Sequence, residues 1–289
     1  MITPRALVKS FISLIWKLKA KRTASRLSRY EEVYPKLIGE TLTDVLSHNV
    51  SKEEEEWINK IHSLRKKLEL SDEKIELVDF GAILPDSNIS EQELKAGKTV
   101  ISTVGAKCKS CSELFFWVFI LFKLIRKFKP TSCLELGTCM GLSASLQASA
   151  LKLNGKGRMI TMEGSPSLAC IANKNFQSLN LDNIEVKVGR FQDTLPEILK
   201  QHGPFDYVFI DGHLDGTATV NNFNQIIPFV ADKALFIVDN ISWSESMKRG
   251  WKSIEANERI KITFHLRQMG ICIIDNDIKE KQSYSIPLL

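Results

Sequence analysis

The residues with the most chemical content in this 289-residue chain fall in short segments between positions 132 and 240. Glu135-Leu-Gly-Thr-Cys-Met-Gly-Leu-Ser143 puts an acid at the end of an apolar run, followed by two glycines spaced G-x-x-x-G. Gly137 lets the backbone turn sharply, Gly141 lets a ligand approach the next helix start, and Thr138 and Ser143 add hydroxyls to the same turn. A dinucleotide site would want G-x-G-x-x-G, whose amides cradle a pyrophosphate. Here the third glycine is missing. Glu135 would repel a pyrophosphate, whereas it can accept hydrogen bonds from a cationic amino-acid tail. Glu163, 28 residues further on, can accept from both hydroxyls of a ribose, as acids do in other nucleoside-binding α/β sheets. In Gly189-Arg-Phe-Gln-Asp193, Phe191 offers a face for adenine, and Gln192 or Asp193 could meet its polar edge. Ile210-Asp-Gly-His213 and Val238-Asp-Asn240 contribute Asp211, His213, Asp239 and Asn240. Plainer readings stand beside these: a strand-to-helix turn with no ligand, and solvated carboxylates at strand ends.

For such residues to meet, they must sit at the carboxyl ends of parallel strands. The pattern from Pro130 onward fits. Ser132–Gly137, Arg158–Glu163, Ile184–Gly189, Tyr207–Asp211 and Ala234–Asp239 read as strands, with helical stretches between them. That alternation predicts a parallel sheet with helices on both faces. Lys261–Arg267 and Gly270–Asp275 are strands with almost no link, which suits an antiparallel hairpin.

Upstream, residues 5–18 have an amphipathic helical pattern, with Leu7, Phe11, Leu14, Ile15 and Leu18 on one face. A second helix is expected over Glu31 to about Leu46. Ser51-Lys-Glu-Glu54 has capping-box spacing and opens a third, whose Arg65, Lys66 and Lys67 read as a solvated face. Lys74–Gly81 reads as a strand ending in a turn, Ser90 to about Val104 as a helix, and Ser112 onward as a strongly apolar helix. Neither that helix nor residues 5–18 is long enough to span a bilayer.

The net charge of +5 is unevenly spread. Eight Lys and Arg and no acid lie in the first thirty residues, which leaves 31 basic against 34 acidic residues elsewhere. A basic arm on a slightly acidic body argues against a nucleic-acid-binding core. It leaves two roles for residues 5–29: docking on the protein's own domain or a second copy, or peripheral contact with an anionic membrane. No cleavage site follows the arm, so a removed signal peptide is not expected. Cys108 and Cys111 form a lone C-x-x-C. With no second pair to complete a zinc site, these two read as thiols in a reducing cytoplasm, while Cys133, Cys139, Cys170 and Cys272 sit in or beside apolar runs as small hydrophobes.

Leu134–Ser143 resembles the first motif of class I S-adenosylmethionine-dependent methyltransferases. Ile160-Thr-Met-Glu163, Gly189–Asp193, Phe209-Ile-Asp-Gly212 and Val238-Asp-Asn240 are similar to the series in catechol-type O-methyltransferases. The run Asp239–Trp251, with Val78-Asp-Phe-Gly81, resembles a largely uncharacterised bacterial branch of that superfamily. The resemblance spans about residues 74–275. It implies a Rossmann-like, seven-stranded, mostly parallel sheet with an antiparallel C-terminal hairpin, formed by a methyltransferase domain over 73–289 with its core in 130–275. Residues 1–72 are an N-terminal helical extension expected to cover the strand ends, shape an acceptor pocket or build a homodimer interface.

For the site, the resemblance implies S-adenosylmethionine as cofactor. Glu135, Gly137, Thr138, Gly141 and Ser143 would lie at its methionine portion, Glu163 at the ribose, and Phe191 and Gln192 at the adenine. Asp211 would stand between cofactor and substrate. Asp211, Asp239 and Asn240 match positions that bind magnesium in the catechol-type enzymes. The alternative is that Asp239-Asn240 only ends a strand and Asp211 touches the cofactor. The family's catalytic lysine falls at Leu214, which cannot take a proton, so His213 and Asp215 are the nearest bases. The expected reaction is methyl transfer to a hydroxyl of a small or medium acceptor. Metal-free N-methylation and a non-catalytic binding scaffold remain as alternatives, with an NAD-dependent oxidoreductase more distant.

Overall fold

The computed structural model describes residues 4–80, 97–111, 115–212 and 214–288. The chain opens with three helices, α1 (Pro4–Leu27), α2 (Val33–Ser47) and α3 (Lys52–Glu69). A small antiparallel pair follows, β1 (Lys74–Asp79) with β2 (Lys98–Thr103), then α4 (Val104–Cys111) and α5 (Phe115–Phe128). Alternation then sets in: β3 (Ser132–Leu136), α6 (Leu142–Leu153), β4 (Arg158–Glu163), α7 (Pro166–Ser178), β5 (Ile184–Val188), α8 (Phe191–His202) and β6 (Phe205–Ile210). The chain continues through α9 (Gly216–Ile226), β7 (Val230–Val238), α10 (Glu245–Ala256), β8 (Ile262–Leu266), β9 (Met269–Asp275) and β10 (Gln282–Ser285).

The large sheet has the order β10-β8-β9-β7-β6-β3-β4-β5. Strands β3 to β7 are parallel, and β9 runs antiparallel to both β7 and β8, as the short link between β8 and β9 requires. The expected seven strands are present. An eighth, β10, adds itself at the edge, parallel to β8. The strand order reverses between β3 and β6, and ligands bind α/β sheets outside such a switch point.

Side chains alternate across the sheet and build a core on each face. Tyr207, Phe209, Leu235 and Ile237 face one core, while Val208, Ile210, Phe236 and Val238 face the other. The first of these cores takes in α1, α2, α3 and α5 through Ala24, Leu27, Ile38, Leu42, Ile58, Ile61 and Phe122, so the extension shares its packing with the sheet. Polar ties fix it further: Tyr34 donates to the Asp275 carboxylate at 2.7 Å, and Glu54 receives Lys123 at 2.6 Å and Arg126 at 2.9 Å. The capping box at Ser51 forms as its spacing predicts, with Ser51 Oγ accepting from the Glu54 N–H. The same Glu54 carboxylate reaches back to the Ser51 N–H at 3.0 Å.

Three expectations are corrected. Ser90–Val104 is not a helix throughout: Lys98–Thr103 is a strand paired with β1, and residues 90–96 lie outside the described part. The acidic and basic ends of α3 are not simply a solvated face, because Glu54 is buried and Arg65 is largely covered. The helix over 5–18 extends to Leu27, where Ala20, Ala24 and Leu27 are buried while Lys17, Lys19, Lys21, Arg22, Arg26 and Arg29 stay exposed. Among the described residues no helix is long and apolar enough to cross a membrane.

Candidate active site

A cleft opens above the tips of β3 and β6, at the switch point. Gly137, Thr138, Cys139, Met140, Leu142, Ser143 and Leu146 form one wall and Asp211 the floor. Ile61, His62 and Arg65 of α3, Cys108 of α4 and Val118 of α5 close the other side.

Gly137 makes the turn possible. Its φ is +106°, and a Cβ there would lie 2.3 Å from the Asp211 carbonyl oxygen. The strands approach so closely because the Asp211 N–H donates to the Leu136 carbonyl at 2.9 Å. Gly141 is explained differently from the sequence expectation. It is the N-cap of α6 at φ +77°, and a Cβ would meet the Phe176 ring at 2.6 Å and Ala172 at 3.1 Å. Its missing side chain makes room for α7 rather than for a ligand.

Glu135 lies beneath the cleft, fully buried. Its Oε1 accepts from Ser143 Oγ at 3.0 Å and Gln147 Nε2 at 2.7 Å, and its Oε2 from Thr161 Oγ1 at 2.6 Å. With its proton committed to Glu135, Thr161 accepts from Thr138 Oγ1 at 2.6 Å. Tyr207 donates to Gln147 Oε1 at 2.8 Å, which extends the chain across β6. Glu135 therefore does not face the cleft directly. It fixes Ser143 and, through Thr161, Thr138, both of which do. Gln147 lies one helical turn beyond Ser143, so its inward position was readable from the i, i+4 spacing. Thr161 and Tyr207, from separate strands, gave no such signal.

Burial pushes the Glu135 carboxyl up to about 7, against the pull of its three donors. A carboxyl raised in the folded state keeps its proton while the unfolded chain loses it. Stability from this group is therefore whole below the ordinary glutamate range and lost as pH rises through about 7. Glu135→Gln should remove that dependence. Relative to wild type, its unfolding free energy from urea titrations should rise by roughly 3 kcal/mol between pH 4.5 and pH 8. Parallel profiles would contradict a strained buried carboxylate.

Glu163 bridges two loops. Its Oε2 accepts from the Cys139 N–H at 2.7 Å and its Oε1 from the Ser165 N–H at 2.8 Å. Burial raises its carboxyl above the usual range, opposed by those N–H groups and by the charge of Lys107. The Gly164 N–H also favours the charged carboxylate, and its remaining acceptor capacity could still take a hydrogen bond from a vicinal diol. Phe80 packs over Gly164 beside it, with the Arg190 guanidinium 5.7 Å above the ring. Phe191 is buried in the core, and a Cβ on Gly212 would lie 2.2 Å from its ring. Gln192 is exposed at the start of α8.

Asp211 and Asp239 follow paired strand ends, since Ile210 is in register with Val238. Asp239 is buried and receives the Asn240 amide at 2.7 Å, and Asn240 takes φ +59° to turn the chain. Among the described residues no group of three or more His, Cys, Asp and Glu side chains gathers as a metal site, so Asn240 would have to complete any such trio. Asp215 caps α9: it accepts from the Ala218 N–H at 2.8 Å and from Ser246 at 3.1 Å. His213 lies outside the described residues.

Comparison with known proteins agrees with this geometry. Residues 134–241 match the family model described as a methyltransferase domain. The chain is 34% identical over 110 residues to a catechol O-methyltransferase of Niastella koreensis, covering 37% of this chain and 48% of that protein. It is 33% identical over 95 residues to the catechol O-methyltransferase of Mus musculus, covering 32% and 35%. The chain thus spans half or less of these curated relatives. Among solved structures, cofactor-bound Rv0187 from MTB is 25% identical with a TM-score of 0.50, covering 57% of this chain and 83% of that one. The fold is also that of the Bacillus cereus O-methyltransferase in complex with SAH, at 22% identity and a TM-score of 0.52, covering 67% and 93%. The fold is that of these solved methyltransferases, and residues 134–241 are similar to a methyltransferase domain.

Proposed function

We propose that the chain binds S-adenosylmethionine across the tips of β4, β3 and β6 and transfers its methyl group to a hydroxyl of a small or medium acceptor. The observation that carries this reading is the pair of acids, Glu163 and Asp211, on either side of the tight glycine turn at the switch point. Glu163 would take the ribose diol. Gly137, Thr138 and Ser143 would line the methionine tail, with Glu135 holding the two hydroxyls in place. Gln192 and the Phe80–Arg190 pair lie towards the adenine end. Phe191 would support that end through Gly212.

The cofactor supplies the activated carbon, and the protein must align the acceptor, exclude water and receive a proton. Ile61, Val118, Leu142 and Leu146 give the cleft an apolar lining that suits exclusion of water. Asp211, Asp239 and Asn240 are two carboxylates and an amide on adjoining strand ends, a donor set that suits a hard divalent cation such as Mg2+. A cation held there would lower the acceptor hydroxyl's pKa. His213 is the proposed base, since Leu214 cannot serve and Asp215 is engaged as a cap.

Labelled S-adenosylmethionine offered with hydroxyl and amine acceptors tests this reading. Label should pass to the hydroxyl, and EDTA should lower the rate by at least about 100-fold, in the range of a metal-stabilised charge. Transfer to amines alone, or activity indifferent to EDTA, would overturn the acceptor and the metal respectively. The exposed basic face of α1, with Lys21, Arg22 and Arg26, and Arg29 just beyond the helix, is proposed to meet anionic lipid, and a homodimer through the extension is a separate proposal.

A further inference from the structure

We infer that Arg65, in the N-terminal extension, recognises the α-carboxylate of the cofactor's methionine tail. The inference rests on the reading of the cleft as an S-adenosyl nucleoside site. With the ribose on Glu163 and the sulfonium towards Asp211, the amino-acid tail must lie along Gly137–Ser143, under α3. That tail is a zwitterion, and both of its charges need partners in a mostly apolar cleft.

Glu135, the acid expected from the sequence to meet the tail, is sealed beneath Ser143 with three donors on its oxygens. Among the described residues, the charged side chains on the cleft wall are Asp211 and Arg65, with His62 beside them. Asp211 suits the ammonium. Arg65 suits the carboxylate: its side chain is only 24% exposed, and Glu69 takes its Nε at 2.8 Å, which anchors the guanidinium. The terminal N–H groups of a guanidinium match the two oxygens of a carboxylate. The extension therefore supplies a binding residue to the site as well as a cover. The motif that made Arg65 look like part of a solvated run, Arg65-Lys-Lys67, hid it: one residue of three turns inward.

Calorimetry on the full chain with two ligands tests this. S-adenosylhomocysteine carries the tail, while methylthioadenosine keeps the nucleoside and thioether without it. Arg65→Gln should weaken S-adenosylhomocysteine by at least about tenfold, as loss of a charged hydrogen bond implies, and leave methylthioadenosine within about twofold. Arg65→Lys, which keeps the charge, should lose less. Equal weakening of both ligands would mean that Arg65 only holds α3 in place, and unchanged affinity for both would remove it from the site; either result overturns the inference. If Arg65→Gln spares both ligands but abolishes binding of an anionic acceptor, the carboxylate it reads belongs to the substrate, and the inference also falls. Wild-type protein that binds neither ligand would instead overturn the nucleoside site itself.

Discussion

Gly137→Ala is expected to destabilise the protein by at least about 3 kcal/mol and to abolish nucleoside binding. Two independent costs combine. The backbone sits at φ +106°, where an L side chain is strained, and the new methyl would lie 2.3 Å from a backbone oxygen. That oxygen belongs to Asp211, whose own N–H is tied to Leu136, so β6 cannot retreat without breaking the ladder at the switch point. Any relief would move Asp211, which forms the cleft floor. Gly155→Ala is the control: it too has a positive φ, +69°, but a Cβ there meets nothing within 4 Å. Urea titration should separate the two variants, the control losing about 1 kcal/mol. Similar losses for both would mean that the strand tips are not packed as described.

Glu54→Ala should cost about 3–5 kcal/mol, the penalty for leaving a buried cation without its partner. Lys123, with a side chain 6% exposed, and Arg126 both converge on this carboxylate. Burial alone would raise the Glu54 carboxyl, but Lys123, the Ser51 N–H and Arg126 outweigh it and hold the group below its usual range. This contribution is present above the ordinary glutamate pKa and disappears as pH falls through the lowered one. Glu54 links the start of α3 to α5, so its loss should also loosen the helix that carries Arg65. Thermal unfolding checks the first effect. Proteolysis within α3, faster in the variant, checks the second. A variant as stable as wild type would contradict a desolvated triad.

The parallel sheet was legible because its strands are short apolar runs bounded by glycine and charge. Arg158–Glu163 coincides with β4, and the near-absent link before Gly270 announced the hairpin. β10 was not legible: Gln282-Ser-Tyr-Ser285 has too little apolar content to mark it, and it exists by pairing with β8 at the edge. Lys98–Thr103 is rich in β-branched residues, but Ser90 is of a type that opens helices, and the sequence alone favours a helix from there. Its pairing with β1 decided the outcome.

In the site, the strand-end acids and Gly137 were found because position along a parallel strand predicts where a side chain emerges. What escaped was everything that depends on two elements meeting. Thr161 and Tyr207 reach Glu135 only across neighbouring strands and helices. Arg65 and His62 enter from a helix that the motifs do not include. Gly141 was assigned to a ligand because sequence alone cannot reveal that Phe176 occupies the space.

The sharpest test of the account is titration of S-adenosylhomocysteine into wild-type protein and Glu163→Ala. Wild type should bind, and the variant should bind at least about 30-fold more weakly, as expected when hydrogen bonds from two ribose hydroxyls to a carboxylate are lost. Equal affinity in the two proteins, or no heat in either, would contradict a nucleoside held on the strand tips.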